Sequence, residues 1–191
     1  MCRRSSAVAG PRGRLFGVLV VLSWFTLTGC NTRPHAPALD NAPIYQNDRE
    51  GFRFVMPEGW SQRARTDVPA GTYPKERLLV AYHQSGSESP AWLEATLADL
   101  PEATDLAVFL AEPSYGVTEW RLKAGPESIE VTGAAGRRWT FTGREGKNEW
   151  IKEVVAVRRG GRTYFFNLLF APTDTTSRDQ GRRAIASLIW K

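Results

Sequence analysis

The chain of 191 residues is poor in the side chains that carry most enzyme chemistry. It has two cysteines, Cys2 and Cys30, and two histidines, His35 and His83. None of these stand in C-x-x-C or i, i+4 spacing, so no metal site is expected. There is no G-x-S-x-G for a serine nucleophile and no G-x-G-x-x-G for a dinucleotide. The stretch GREGKN at 143–148 lacks the first glycine of a phosphate loop and has Asn148 after its lysine, so it is a turn. Ser85, Ser87 and Ser89 follow His83 in HQSGSESP, a loop composition. Of the carboxylates, Glu94 with Asp99 and Glu149 with Glu153 are the pairs a hydrolase could use. Glu149 and Glu153 share one strand face, and arginines of neighbouring strands are their expected partners. No catalytic residue and no cofactor is expected.

The chain also lacks a long apolar run. Residues 15–28, LFGVLVVLSWFTLT, fall short of the roughly 20 residues that a helix needs to cross a bilayer. Four arginines, Arg3, Arg4, Arg12 and Arg14, precede this run, and no acid does. Basic residues followed by a short apolar stretch make a signal peptide. The run ends in Leu27-Thr28-Gly29-Cys30, which resembles the lipobox of bacterial lipoproteins. The resemblance implies cleavage after Gly29 and acylation of Cys30, so that acyl chains hold the protein to a membrane. One acyl chain holds only marginally, whereas several give a stable anchor. Asn31, rather than Asp, follows the cysteine. That favours the periplasmic face of the outer membrane over the inner membrane.

Loss of residues 1–29 changes the charge. Taking four arginines from the 25 basic residues leaves 21 against 20 acids, so the formal charge of +5 is mainly a targeting feature. A nucleic-acid partner is not expected for an exported chain of this balance. The mature chain would keep one cysteine and no internal disulfide. Residues 30–43 then hold Cys30 and three prolines and read as a flexible tether. A single domain of about 145 residues, 44–191, is large enough to stand on its own core.

Strand signals dominate that domain. GFRFVMPEGW (51–60) alternates and stops at Pro57-Glu58-Gly59; RLLVAYHQ (77–84) alternates; PAWLEATLADLP (90–101) fits a strand better than a helix. GRRWTFTGR (136–144), NEWIKEVVAVRR (148–159) and RTYFFNLLFAP (162–172) form an antiparallel meander, because Gly160-Gly161 suits a two-residue turn with positive φ at both positions. The last strand is apolar on both faces, so it is expected to be central and covered on both sides. A helix over 173–190, capped by Thr173 or Asp174, and a shorter one over 103–112, capped by Thr104 or Asp105, are the expected covers. The expected fold class is α+β, an antiparallel sheet with helices on both faces.

GFRF-x-x-PEGW, the meander, and the aromatic strand running directly into a C-terminal helix resemble the PsbP-like family. Gly51, Phe52, Pro57, Gly59 and Trp60 carry the likeness. This family includes the photosystem II subunit PsbP, the Ran-binding Mog proteins and bacterial lipoproteins. The resemblance implies an α/β/α sandwich acting as a non-catalytic accessory to a larger assembly. No binding residue of the family can be matched here, and neither photosynthesis nor a Ran partner follows. The expected role is an anchored, non-catalytic binding module for an envelope protein complex; the alternatives are a lipoprotein that binds a small apolar ligand or lipid and an enzyme, which would need a cluster of His83, a carboxylate and a serine. Arg158, Arg159 and Arg162 flank one tight turn and form a candidate patch for an anionic surface. Replacing Cys30 by Ser is expected to abolish metabolic labelling by palmitate and to leave the precursor unprocessed; labelling that persists in the variant contradicts the anchor.

Overall fold

The computed structural model describes residues 43–63, 76–84 and 90–191. All of them belong to one unit, Leu39–Lys191. Gly29, Cys30 and most of the tether lie outside the described residues.

The three closing strands set the frame. β7 (Ala134–Glu145), β8 (Asn148–Arg159) and β9 (Arg162–Phe170) follow β1 (Ile44–Asn47), β2 (Phe52–Val55), β3 (Trp60–Arg63), β4 (Arg77–Gln84), β5 (Trp92–Ala98) and β6 (Arg121–Val131). Arg159 faces Arg162 across the β8–β9 turn, and Gly160 and Gly161 hold φ of 58° and 76°, as a two-residue turn of this type requires. The large sheet runs β3-β4-β5-β9-β8-β7-β6, and every neighbouring pair is antiparallel. β9 is its middle strand and is buried on both faces from Thr163 to Phe170.

The expected helices on both faces are not what covers it. Among the described residues the chain forms two antiparallel sheets and two helices, α1 (Leu106–Leu110) and α2 (Thr175–Ala186). On the side of Tyr164, Phe166 and Leu168, a second sheet of order β1-β2-β10, with β10 at Ile189–Trp190, brings Phe52, Phe54 and Trp190, and α2 adds Ala184 and Ile185. On the side of Phe165 and Leu169, the five-residue α1 and the chain through Val117 and Trp120 close the core. The misreading has a local cause. The apolar stripe of Ala184, Ile185, Leu188 and Ile189 looks like one helix to residue 190. The helix instead ends at Ala186, where the Ser187 hydroxyl donates to the Ala184 carbonyl (2.6 Å) and accepts from the Val55 N–H (2.8 Å). That contact turns the chain, and Ile189–Trp190 become β10, paired with β2.

β6 escaped the sequence reading because it does not alternate. Its sequence RLKAGPESIEV is almost wholly exposed and paired along one edge only, and the register shifts twice around Gly125-Pro126. Asp105 and Asp174 cap the two helices as expected, through Ala107 and Ser177 N–H groups at 2.9 Å in each case.

α2 lies against β9 at Gly181. A Cβ there would come within 2.3 Å of Leu168 Cδ1, and Leu168 is fully buried. Gly181→Val is expected to lower the unfolding free energy by about 1–3 kcal/mol through overpacking. Urea denaturation measures it, and an unchanged midpoint contradicts this packing.

Candidate functional site

The structure separates the three arginines that the sequence placed together. Arg158 turns to the backbone carbonyls of Pro101, Glu102 and Thr104. Arg159 donates to the carbonyls of Gly133 and Lys191 and lies 5.7 Å from the Trp190 ring. Only Arg162 turns to charged groups, with Nη1 3.1 Å from Glu50 Oε2 and Nε 3.8 Å from Asp99. His83 stands at the end of β4 opposite Trp92, ring centroids 5.6 Å apart, with its pKa lowered by burial and by the charge of Arg63. Ser61 stands opposite it across the β3–β4 ladder, but among the described residues no carboxylate pairs with it to complete a triad. Ser85, Ser87 and Ser89 lie outside them. Glu153 is buried, but its partner is a helix residue: Arg182 of α2 grips both its oxygens at 2.8 and 2.5 Å. The expected partner on a neighbouring strand is thereby corrected.

Next to Glu153, Lys152 points to the opposite face of β8 and is also buried. Its Nζ donates to the Leu110 carbonyl at the end of α1 (2.6 Å) and to Ser114 Oγ (3.3 Å), and stands 4.4 Å from the Trp120 ring. Burial pushes its pKa down to about 7, against an opposing pull from the Glu76 charge. On the same face, Asn167 donates to the Thr96 hydroxyl (3.3 Å), which donates to Glu76. Glu94 faces Asn167 across the β5–β9 ladder and bonds Tyr115. Burial pushes the Glu94 carboxyl up to about 7, against that bond and the charge of Arg63. This buried layer joins β5, β8 and β9 to the covering chain over 110–120. The sequence held one clue to it: Lys152 and Glu153 interrupt an otherwise apolar central strand.

A second constellation lies in the turn between β1 and β2. The Glu50 side chain is 1% exposed. Its Oε1 accepts from Arg77 Nη2 (2.8 Å), and its Oε2 accepts from Arg162 Nη1 (3.1 Å) and the Tyr164 hydroxyl (3.0 Å). Arg49 Nε approaches Oε1 to 3.8 Å. Burial raises the Glu50 carboxyl, but the bonds from Tyr164 and Arg77 and the charges of Arg162 and Arg77 outweigh it, and the pKa is lowered. Arg49, Arg77 and Arg162 line an open pocket of about 500 Å³, with Glu76 and Asp99 at its sides. Sequence reasoning found Arg162 but missed the other two, which are distant in the chain.

No family model matches the sequence, and no curated protein matches it. Solved structures do match. The solution structure of cyanobacterial PsbP (CyanoP) from Synechocystis sp. PCC 6803 aligns over 78% of this chain and 92% of that one, with a TM-score of 0.55 at 14% identity. The fold is PsbP-like. LpqN, involved in cell envelope biogenesis of Mycobacterium tuberculosis, aligns over 78% of this chain and 85% of its own at 10% identity, with a TM-score of 0.46. The PsbP-like likeness expected from GFRF-x-x-PEGW and the late aromatic strand therefore holds for the fold, but the expected α/β/α sandwich does not, because a second sheet covers much of one face.

The Lys152 and Glu94 shifts act on stability in opposite directions. The lysine is lowered from 10.5 to about 7, so the unfolded chain holds more protons between those values and stability rises with pH there. Glu94 is raised from 4.5 to about 7, so its contribution falls as pH rises across that window. Lys152→Met is expected to flatten the rise in unfolding free energy between pH 7 and 10 while leaving the acid side unchanged. Denaturant titrations across that range check it, and an unaltered alkaline slope contradicts the assignment.

Proposed function

We propose that the protein is a lipid-anchored, non-catalytic binding module of the cell envelope that docks onto a membrane protein assembly. The observation that carries this reading is the pairing of a lipobox-like LTGC, closing a short apolar run, with one PsbP-like body at the end of a proline-containing tether. The anchor confines the body to a membrane surface, and the tether lets it reach a partner. Its polar interior supports the reading. Lys152, Glu153, Glu94 and Glu50 all bond neighbouring elements and tie layers together.

The surface supplies a docking face. Val108 of α1 and Leu122 of β6 are 66% and 50% exposed. Leu122 stands opposite Phe141, whose ring belongs to the core beneath α1, so both residues lie on the α1 side of the sheet. Exposed apolar side chains on one side suit a protein contact. The groove beside α1, about 1020 Å³, is lined by Glu102, Glu130, Arg137 and Arg158 as well as apolar groups, which favours a protein partner over an apolar ligand.

A photo-crosslinking residue at position 122, in the full chain in intact cells, is expected to give one discrete adduct with an envelope protein. The same residue at Arg183, on the exposed face of α2, is expected to give none. Equal, diffuse labelling from both positions contradicts docking through this face.

A further inference from the structure

We propose that the pocket over Glu50 is an oxyanion site, in which Arg49, Arg77 and Arg162 take the phosphate of a phosphate ester. The donor count is the first argument. Three guanidinium groups carry about fifteen N–H donors between them. Glu50 takes one bond from Arg77 and one from Arg162, spends a further acceptor site on Tyr164, and meets Arg49 only at 3.8 Å. Arg162 also meets Asp99 at 3.8 Å, and among the described residues these contacts occupy fewer than half of the donors.

The placement of Glu50 is the second argument. Its side chain is 1% exposed and sits below the arginines, so it orients the forks without filling the pocket. Planar guanidinium groups already held in place match the paired oxygens of a phosphate and lose little freedom on binding it. Arg49 is 78% exposed and loosely held, free to close over a ligand.

Charge balance is the third. Three cations meet the Glu50 carboxylate, and two further acids line the pocket. Asp99, 85% exposed, lies 3.8 Å from Arg162. Glu76 is turned toward Thr96, and burial raises its carboxyl toward the neutral form. These two acids compete with a bound anion, so removing the charge of Asp99 should tighten the site.

Reach is the fourth. The pocket stands at the far end of β1, four residues or about 13 Å from the end of the tether. A phospholipid headgroup and a soluble phosphate ester share the same chemistry, and either can supply the anion. This site does not rest on the docking role, which the crosslink at position 122 tests separately.

The test is calorimetric titration of the purified full chain in nonionic detergent with inorganic phosphate, glycerol 3-phosphate and dihexanoyl phosphatidylglycerol. Saturable binding is expected, weakened about tenfold or more by Arg49→Glu, since a charge-assisted bond is replaced by repulsion. Asp99→Asn is expected to strengthen it several-fold. Arg49 and Asp99 are exposed, so both variants should melt as the parent does. Binding of glycerol 3-phosphate identifies a soluble ester as sufficient; binding of phosphatidylglycerol alone identifies the headgroup at a lipid surface. Lack of saturable binding by all three probes, or binding that Arg49→Glu leaves unchanged, overturns the proposal.

Discussion

β9 is apolar along both faces and sits in the middle of a seven-stranded sheet, so the chain has to bury it from two directions at once. The side chains show how. Phe166 meets Phe52 at 5.6 Å and Trp190 at 6.3 Å on one side, both edge-on. Phe165, one residue earlier, stacks on Phe109 at 5.5 Å on the other. Each such ring contributes about 1.5–3 kcal/mol through burial. A single covering layer would leave half of that exposed. The small sheet with α2 on one face, and α1 with the chain to Trp120 on the other, are the two solutions to one problem.

β8 then fastens both covers to the sheet. Lys152 and Glu153 are adjacent, so the pleat sends them to opposite faces. Lys152 holds the end of α1, and Glu153 holds Arg182 of α2. Each buried charge costs desolvation and is tolerable only where it is bonded. Their contacts single out one placement of each cover, where apolar packing alone would accept several. Glu50 does the same for the small sheet, binding Arg77 of β4 and Arg162 and Tyr164 of β9.

Where period and turn chemistry act locally, the chain could be read from sequence. The β7–β8–β9 meander, the glycine turn at 160–161, the centrality of β9 and the caps Asp105 and Asp174 follow from residues close together in sequence. The second sheet could not be read this way. β1 is four residues and β10 is two, and neither has a periodic signal of its own. They exist because β9 needs a cover and Ser187 turns the chain toward β2. The pocket was legible by one residue in three: Arg162 lies beside a visible turn, but Arg49 and Arg77 reach it only through folding around Glu50. Arg158 and Arg159 looked like its neighbours in sequence and went instead to backbone carbonyls.

On this account the interior holds the layers together, and contact with a partner is left to the surface. Hydrogen exchange under native conditions tests that claim at its root. If the two-sided burial of β9 organises the fold, amides from Tyr164 to Leu169 exchange only by global unfolding, with a free energy equal to that from denaturant. Amides of β6, at the open edge, exchange far sooner. Exchange of the β9 amides through a smaller local opening, with α2 and the small sheet still protected, would contradict it.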